Sequence, residues 1–180
     1  MQSFTQDLWV FGYGSLMWRP GFEFEERREA RLYGYHRGFC VYSHVHRGTP
    51  EKPGLVFGLD RGGACRGAAF RVPAKKAAET YAYLQAREQV TSVYLDVIRP
   101  VKLLGSGERV EALCFIVDRA HAQYAGKLGF EDQARLISAG QGQSGANPDY
   151  LKGTVEHLRE MGIRDAHLEA LWHAVSQRLP

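Results

Sequence analysis

Two groups of residues in this chain have the types and spacing for proton-transfer chemistry on a small anion. The first is the run LWVFGYGSLMW at residues 8–18. Its apolar half has the length and the aromatic and β-branched content of a buried strand. The run ends abruptly in Gly12-Tyr13-Gly14-Ser15-Leu16, where two glycines let the backbone turn sharply and approach a ligand. Such a turn can aim several N–H groups at an anion or at a developing oxyanion. The other reading is a plain structural turn at a strand end. A dinucleotide fingerprint would need a third glycine where Met17 stands, and no Lys-Ser or Lys-Thr pair follows to make a P-loop. Ser15 is not in a nucleophile elbow either, because Gly-x-Ser-x-Gly also fails at Met17.

The second group is a carboxylate at an unexpected place. A helix is expected from Ala74 to about Gln89, with Ala77, Tyr81 and Leu84 on one side at spacings of four and three. Continuing by four reaches Glu88. Residues eleven apart differ by only about 20° around a helix axis, so Glu88 falls on the stripe meant for the core. A carboxylate there is costly without partners. It also stands near the helix C-terminus, where the dipole disfavours negative charge. Burial and dipole together push its pKa up, toward the range of a general base. Arg87 points about 100° away, toward solvent or another element. The competing reading is a helix that frays early and leaves Glu88 exposed or in a structural ion pair.

These residues must be positioned by a scaffold dominated by strands in its first part. Segments 9–13, 30–35, 38–43, 55–59 and 66–72 read as strands, separated by Gly48-Thr49-Pro50, Lys52-Pro53-Gly54 and Gly62-Gly63. After the helix, 93–104 and 109–117 read as a hairpin joined by Gly105-Ser106-Gly107. The last third turns helical. Residues 130–139 form one helix, and 140–145 (GQGQSG) read as a flexible stretch, either a linker or a lid. Asn147 is placed to cap the next helix, with Pro148 at its first position, Tyr150, Leu151, Val155, Leu158 and Met161 at helical spacing, and Gly162 closing it. Asp165 is placed to cap a final helix carrying Leu168, Leu171, Trp172, Val175 and Leu179. Strict β-α-β alternation is missing, which argues against a doubly wound parallel sheet. The expected class is α+β: a mixed, closed or strongly curved small β-barrel with flanking helices. One domain over residues 1–180 is expected, with a barrel core at about 8–118 and a helical tail at about 130–179.

Bulk properties narrow the function classes. At 180 residues the chain is large enough to bury a core, and 44% hydrophobic and 24% charged residues are ordinary for a soluble globular protein. The net charge is only +3 and the basic residues are dispersed, which disfavours nucleic-acid binding. The N-terminus lacks the pattern of a signal peptide, and no stretch approaches a membrane span. The three cysteines, Cys40, Cys65 and Cys114, are far apart and sit in strand-like segments, as buried free thiols of a cytoplasmic protein would.

The ordered motifs resemble the ChaC-like γ-glutamylcyclotransferases. The pieces that carry the resemblance are FGYGSLMW at 11–18, HRGTPEKPG at 46–54, CRGAAFRV at 65–72, YLQAREQVTSVY at 83–94 and ANPDYL at 146–151. The resemblance implies a small barrel with flanking helices. It implies cleavage of a γ-glutamyl peptide, typically glutathione, to 5-oxoproline and cysteinylglycine, with no metal and no organic cofactor. Glu88 then falls on the general base. Tyr13, Gly14, Ser15 and Leu16 fall on the substrate-binding loop, and Tyr150 on a tyrosine near the substrate. Other γ-glutamyl amino acids or amines as donors, or a non-catalytic γ-glutamyl-binding module, are the alternatives.

Three further residues have two readings each. Arg47 could meet a substrate carboxylate or be an exposed turn arginine. His44 and His46 would share a strand face, which suits structure or substrate positioning better than a metal pair lacking an evident third ligand.

Overall fold

The computed structural model describes residues 4–88 and 92–180. Strand β1 (Leu8–Gly12) runs into a 3-10 turn (Ser15–Met17), then β2 (Glu26–Ser43), β3 (Gly54–Val72), helix α1 (Ala74–Glu88), β4 (Tyr94–Leu103) and β5 (Arg109–Val117). Helix α2 (Phe130–Ala139), the short strands β6 (Gln141–Gly142) and β7 (Gly145–Ala146), α3 (Asn147–Glu160) and α4 (Ala166–Ser176) follow. Strands β1-β3-β2-β4-β5 form a closed barrel, and the closure is a short parallel pairing of Trp9 and Val10 on β1 with Ala112 and Leu113 on β5. The sheet is otherwise antiparallel in its recorded pairs, so it is mixed, and the class is the α+β barrel expected.

The contacts divide the chain into two compact units, Met1–Arg37 with Gly58–Asp118, and Gly38–Phe57 with Arg119–Pro180. The first unit has a core of Leu8 and Val10 on β1, Leu16, Val72 on β3, Ala77 and Leu84 on α1, and Leu113 and Phe115 on β5. Helix α1 therefore buries the face predicted from its periodicity. Tyr81, on the same stripe, donates its hydroxyl to the Asp96 carboxylate on β4 and accepts from Gln85 Nε2 at 2.7 Å. That bond, with burial, pushes the Tyr81 phenol up to about 12, so it stays a donor at any physiological pH. In the second unit, α2, α3 and α4 pack on one another, and they bury Ala134 and Ile137, Leu151, Val155 and Leu158, and Leu168, Leu171 and Val175.

The structure differs from the sequence reading in four places. Segments 30–35 and 38–43 are one strand, and so are 55–59 and 66–72. Gly62 and Gly63, with φ of +106° and +69°, bend β3 without ending it. A barrel of few strands needs such bends, and glycine supplies them at little steric cost. Residues 141–146, expected as a flexible stretch, form a tight hairpin, with Gln141 paired to Ala146 and Gly142 to Gly145. It is held by Gln143 N donating to Val45 O at 2.8 Å and Ser144 N donating to His46 O at 3.0 Å. Asn147 does not cap α3, whose N-cap is Ala146 with no side-chain bond. Leu179 lies beyond α4 and is exposed, off the buried stripe. The end of α1 agrees with expectation through Glu88, and Gln89 lies outside the described residues.

Asp165 does cap α4, its carboxylate accepting from Leu168 N at 3.1 Å. Replacing it with alanine is expected to lower stability by about 1 kcal/mol with turnover unchanged, as measured by denaturant titration.

Candidate active site

The glycine-bearing turn is built by the exit of β1. Gly12 pairs with Ala68 on β3, and the neighbouring Gly67 lies so close that an added Cβ would sit 2.2 Å from Gly12 O. A side chain at 67 would push the two strands apart where the turn begins. The chain then folds into one 3-10 turn, with Met17 N donating to Gly14 O at 2.9 Å and Arg19 N to Ser15 O at 2.7 Å. The first amides of such a turn have no carbonyl within it to meet. Among the described residues, no hydrogen bond engages the amides of Ser15 and Leu16. Leu16 plays a different part from the one its position in the loop suggests. Its side chain is buried in the core with Leu84, so only its main chain is available to a ligand. Tyr13 is likewise buried.

Leu84, one helical turn before Glu88, thus packs in the same cluster as Leu16, and this brings the end of α1 to the turn. The Glu88 side chain is 19% exposed and the Arg87 side chain 21%. Burial pushes the Glu88 carboxyl above the ordinary glutamate range, and the Arg87 cation pulls it partly back. Arg87 Nε lies 3.9 Å from Glu88 Oε1, too long for a hydrogen bond but close enough for its charge to act. Arg87 turns to another element rather than to solvent. Its Nη2 donates to Ser15 Oγ at 3.0 Å, and its Nη1 reaches Arg19 O at 2.8 Å, Pro20 O at 3.1 Å and Tyr83 Oη at 3.1 Å. Within the first unit, Arg87 thus bonds the Ser15 turn on one side and stands beside Glu88 on the other.

The second unit brings together Arg47 and Tyr150. Arg47 is not a free turn arginine: its amide donates to Ser43 Oγ at 2.9 Å and its Nη1 to Ala146 O at 3.2 Å. Its guanidinium carbon stands over the Tyr150 ring, 5.4 Å from the centroid. Tyr150 packs edge-on against Phe39 and Phe57, with centroids 6.0 Å away in both cases, and its hydroxyl accepts weakly from Phe57 N at 3.4 Å. The two histidines diverge in role. His44 stacks on Tyr42, and His46 Nδ1 is 2.9 Å from Ser144 Oγ on the hairpin. Among the described residues, no group of three or more His, Cys, Asp or Glu is placed to hold a metal ion.

A partly buried carboxylate, next to an arginine bonded to a turn whose Ser15 and Leu16 amides have no partner among the described residues, is equipped to move a proton while an anion is held. The family model for ChaC-like proteins matches residues 8–178. The chain belongs to the ChaC-like family. A glutathione-specific γ-glutamylcyclotransferase of Escherichia coli is 36% identical over 172 residues, covering 96% of this chain and 74% of its own length. The mouse (Mus musculus) glutathione-specific γ-glutamylcyclotransferase 1 is 34% identical over 180 residues, covering 97% of this chain and 81% of its own. A crystal structure of the yeast γ-glutamyl cyclotransferase specific to glutathione superposes with a TM-score of 0.86 at 25% identity, over 97% of this chain and 98% of that one.

In this ChaC-like protein the residues that sequence reasoning missed are Arg87 and Asn147. Arg87 was visible as a neighbour of Glu88, but nothing in the spacing shows that its fork lands on Ser15. Asn147 is fully buried. Its Oδ1 accepts from Leu55 N at 2.7 Å and its Nδ2 donates to Leu55 O at 2.8 Å, so it pairs with β3 as a neighbouring strand would. Only the Asn-Pro pair at a helix start hinted at special use, and capping was the more common explanation.

Proposed function

We propose that this chain is a γ-glutamylcyclotransferase that converts glutathione to 5-oxoproline and cysteinylglycine, with Glu88 as the base and acid. The observation that carries the reading is the Glu88 carboxyl at the end of α1, largely removed from water and raised in pKa, tied through Arg87 to the Ser15 turn. The names of the relatives support the substrate class.

The chemistry follows from the groups present. The α-amino group of a γ-glutamyl peptide is mostly an ammonium at neutral pH and cannot attack. Glu88 accepts its proton, and the freed amine adds to the γ-carbonyl of the same residue. Ring closure is favourable once the substrate is held folded, because the reacting atoms are already joined. The carbonyl oxygen gains negative charge as the N–C bond forms. Backbone N–H groups of Tyr13, Gly14, Ser15 and Leu16 hold that oxygen or the substrate carboxylate. The C–N bond to cysteine then breaks as protonated Glu88 gives its proton to the leaving amine. The second proton that the attacking nitrogen sheds to become the lactam N–H passes to the regenerated carboxylate and on to the departing amine, which leaves as an ammonium. No enzyme nucleophile is required. Arg47 and Tyr150 are assigned to substrate binding as well. A guanidinium fixed by Ala146 O and the Tyr150 ring keeps further donors in the fork geometry that suits a carboxylate. A small-molecule substrate in the cytoplasm fits three buried free cysteines.

The test is incubation with glutathione and with a panel of other γ-glutamyl amino acids and amines, with products identified by mass. Equimolar 5-oxoproline and cysteinylglycine from glutathione, far faster than release from the rest of the panel, is expected. Saturable glutathione binding with no conversion over hours would make the chain a binding module. Similar rates on all donors would remove the preference for glutathione.

A further inference from the structure

We infer that Arg87 is a positioning residue that clamps the turn at 15–20 to the end of α1 and sets the Ser15 hydroxyl as a donor toward the bound anion. The inference rests on the proposed role of Glu88 and extends it to a neighbour that touches no reacting atom.

Three observations carry it. First, the fork of Arg87 bonds three residues of one loop and one of its own helix. Nη2 bonds Ser15 Oγ, and Nη1 is shared among the carbonyls of Arg19 and Pro20 and the Tyr83 hydroxyl. A planar guanidinium holds several acceptors in fixed directions, which an ammonium on a flexible stem cannot do. Second, Tyr83 strengthens the clamp from the preceding turn of α1. Its hydroxyl packs so closely on the loop that a Cβ at Gly21 would sit 2.1 Å from it. Third, Ser15 Oγ accepts from a cation, so its own proton must point elsewhere. A hydroxyl that accepts a charge-assisted bond is also a better donor. Placed at the head of a turn whose Ser15 and Leu16 amides have no partner among the described residues, that O–H adds a donor to them.

The same residue lies between the turn and the base. Among the described residues, Arg87 is the charged group whose field reaches the Glu88 carboxyl, and it favours the carboxylate form. Removing its charge raises the Glu88 pKa further, so the acid limb of kcat/KM moves to higher pH. Arg87 thus has two separable effects: its fork fixes the turn, and its charge keeps Glu88 ionised.

The experiment compares Arg87→Gln, Arg87→Lys and Glu88→Gln with the unaltered protein, using glutathione and a pH series. Arg87→Gln is expected to lose about 10²-fold in kcat/KM, the scale of a small misplacement of reacting groups, and to move the acid limb upward. Arg87→Lys is expected to restore the acid limb but to keep a raised KM, because it returns the charge and not the fork. An Arg87→Gln protein with kcat/KM within twofold of normal and an unmoved limb would overturn the inference, as would Arg87→Lys restoring both quantities. Retained turnover in Glu88→Gln would instead remove the base assignment. If Arg87→Gln does not fold, Tyr83→Phe removes one acceptor of the fork from an exposed helix position. A several-fold rise in KM is then expected, and an unchanged KM would contradict the clamp.

Discussion

Glu88→Gln is expected to abolish 5-oxoproline release from glutathione, by about 10³-fold or more, while leaving the fold intact. Removal of a placed general base costs typically 10²–10⁴-fold. Here the loss falls toward the upper part of that range, because the same carboxyl is used twice, once to take a proton from the α-ammonium and once to return it to the leaving amine. The stability of the variant separates this from unfolding. The folded-state pKa of Glu88 is raised, so the wild-type carboxyl is tolerated below its unfolded pKa and loses stability as pH rises through the folded value. Glutamine avoids the cost of burying a charge, and Glu88→Gln should be as stable as wild type or more so at neutral pH. Activity and thermal melting measured on the same preparation check both parts. A dead and unfolded variant, or a stable and active one, would each contradict the account.

Asn147→Leu is expected to lower stability by about 3 kcal/mol, because it strips two buried backbone groups of their partners. Leu55 N–H loses an acceptor at 2.7 Å and Leu55 C=O loses a donor at 2.8 Å. The neighbourhood cannot close around the change. An added Cβ on Gly54 would sit 2.7 Å from Asn147 Oδ1, and one on Gly140 would sit 2.8 Å from Asn147 Cβ, so all three residues meet without slack. Asn147→Asp should fail as well, since it keeps the acceptor for Leu55 N but turns a second oxygen toward Leu55 O. At this chain length the Leu variant should melt roughly 10 °C lower. Chemical denaturation with an unchanged m-value and a loss under about 1 kcal/mol would show that the pairing adds little.

The helices were legible because their signals are local. Helix α2 matches its expected bounds, α1 matches through Glu88, and Asp165 caps α4 as its position indicated. The inward position of Glu88 was legible for the same reason: Ala77, Tyr81 and Leu84 at helical spacing define a stripe that packs on the core, and the fourth position on it is acidic. The strands were harder, because glycine has two meanings. Gly62-Gly63 looks like a turn in sequence, yet closing a small barrel requires long strands that bend, and the same residues serve there. The hairpin at 141–146 looks flexible in sequence because its residues are small and polar. It is ordered by main-chain bonds to Val45 and His46, about a hundred residues away, which no local pattern reveals. Arg87 and Asn147 escaped for that reason too. Each acts through partners remote in sequence, Ser15 for one and Leu55 for the other.

The central claim is that one glutamate, withdrawn from water at the end of α1, carries the proton. Direct titration of the Glu88 side-chain carboxyl by carbon NMR, in protein labelled at glutamate and assigned with Glu88→Gln, measures it. The account predicts a midpoint above the ordinary glutamate range that coincides with the acid limb of kcat/KM for glutathione. A midpoint at or below that range, or an acid limb that does not follow it, would contradict the account.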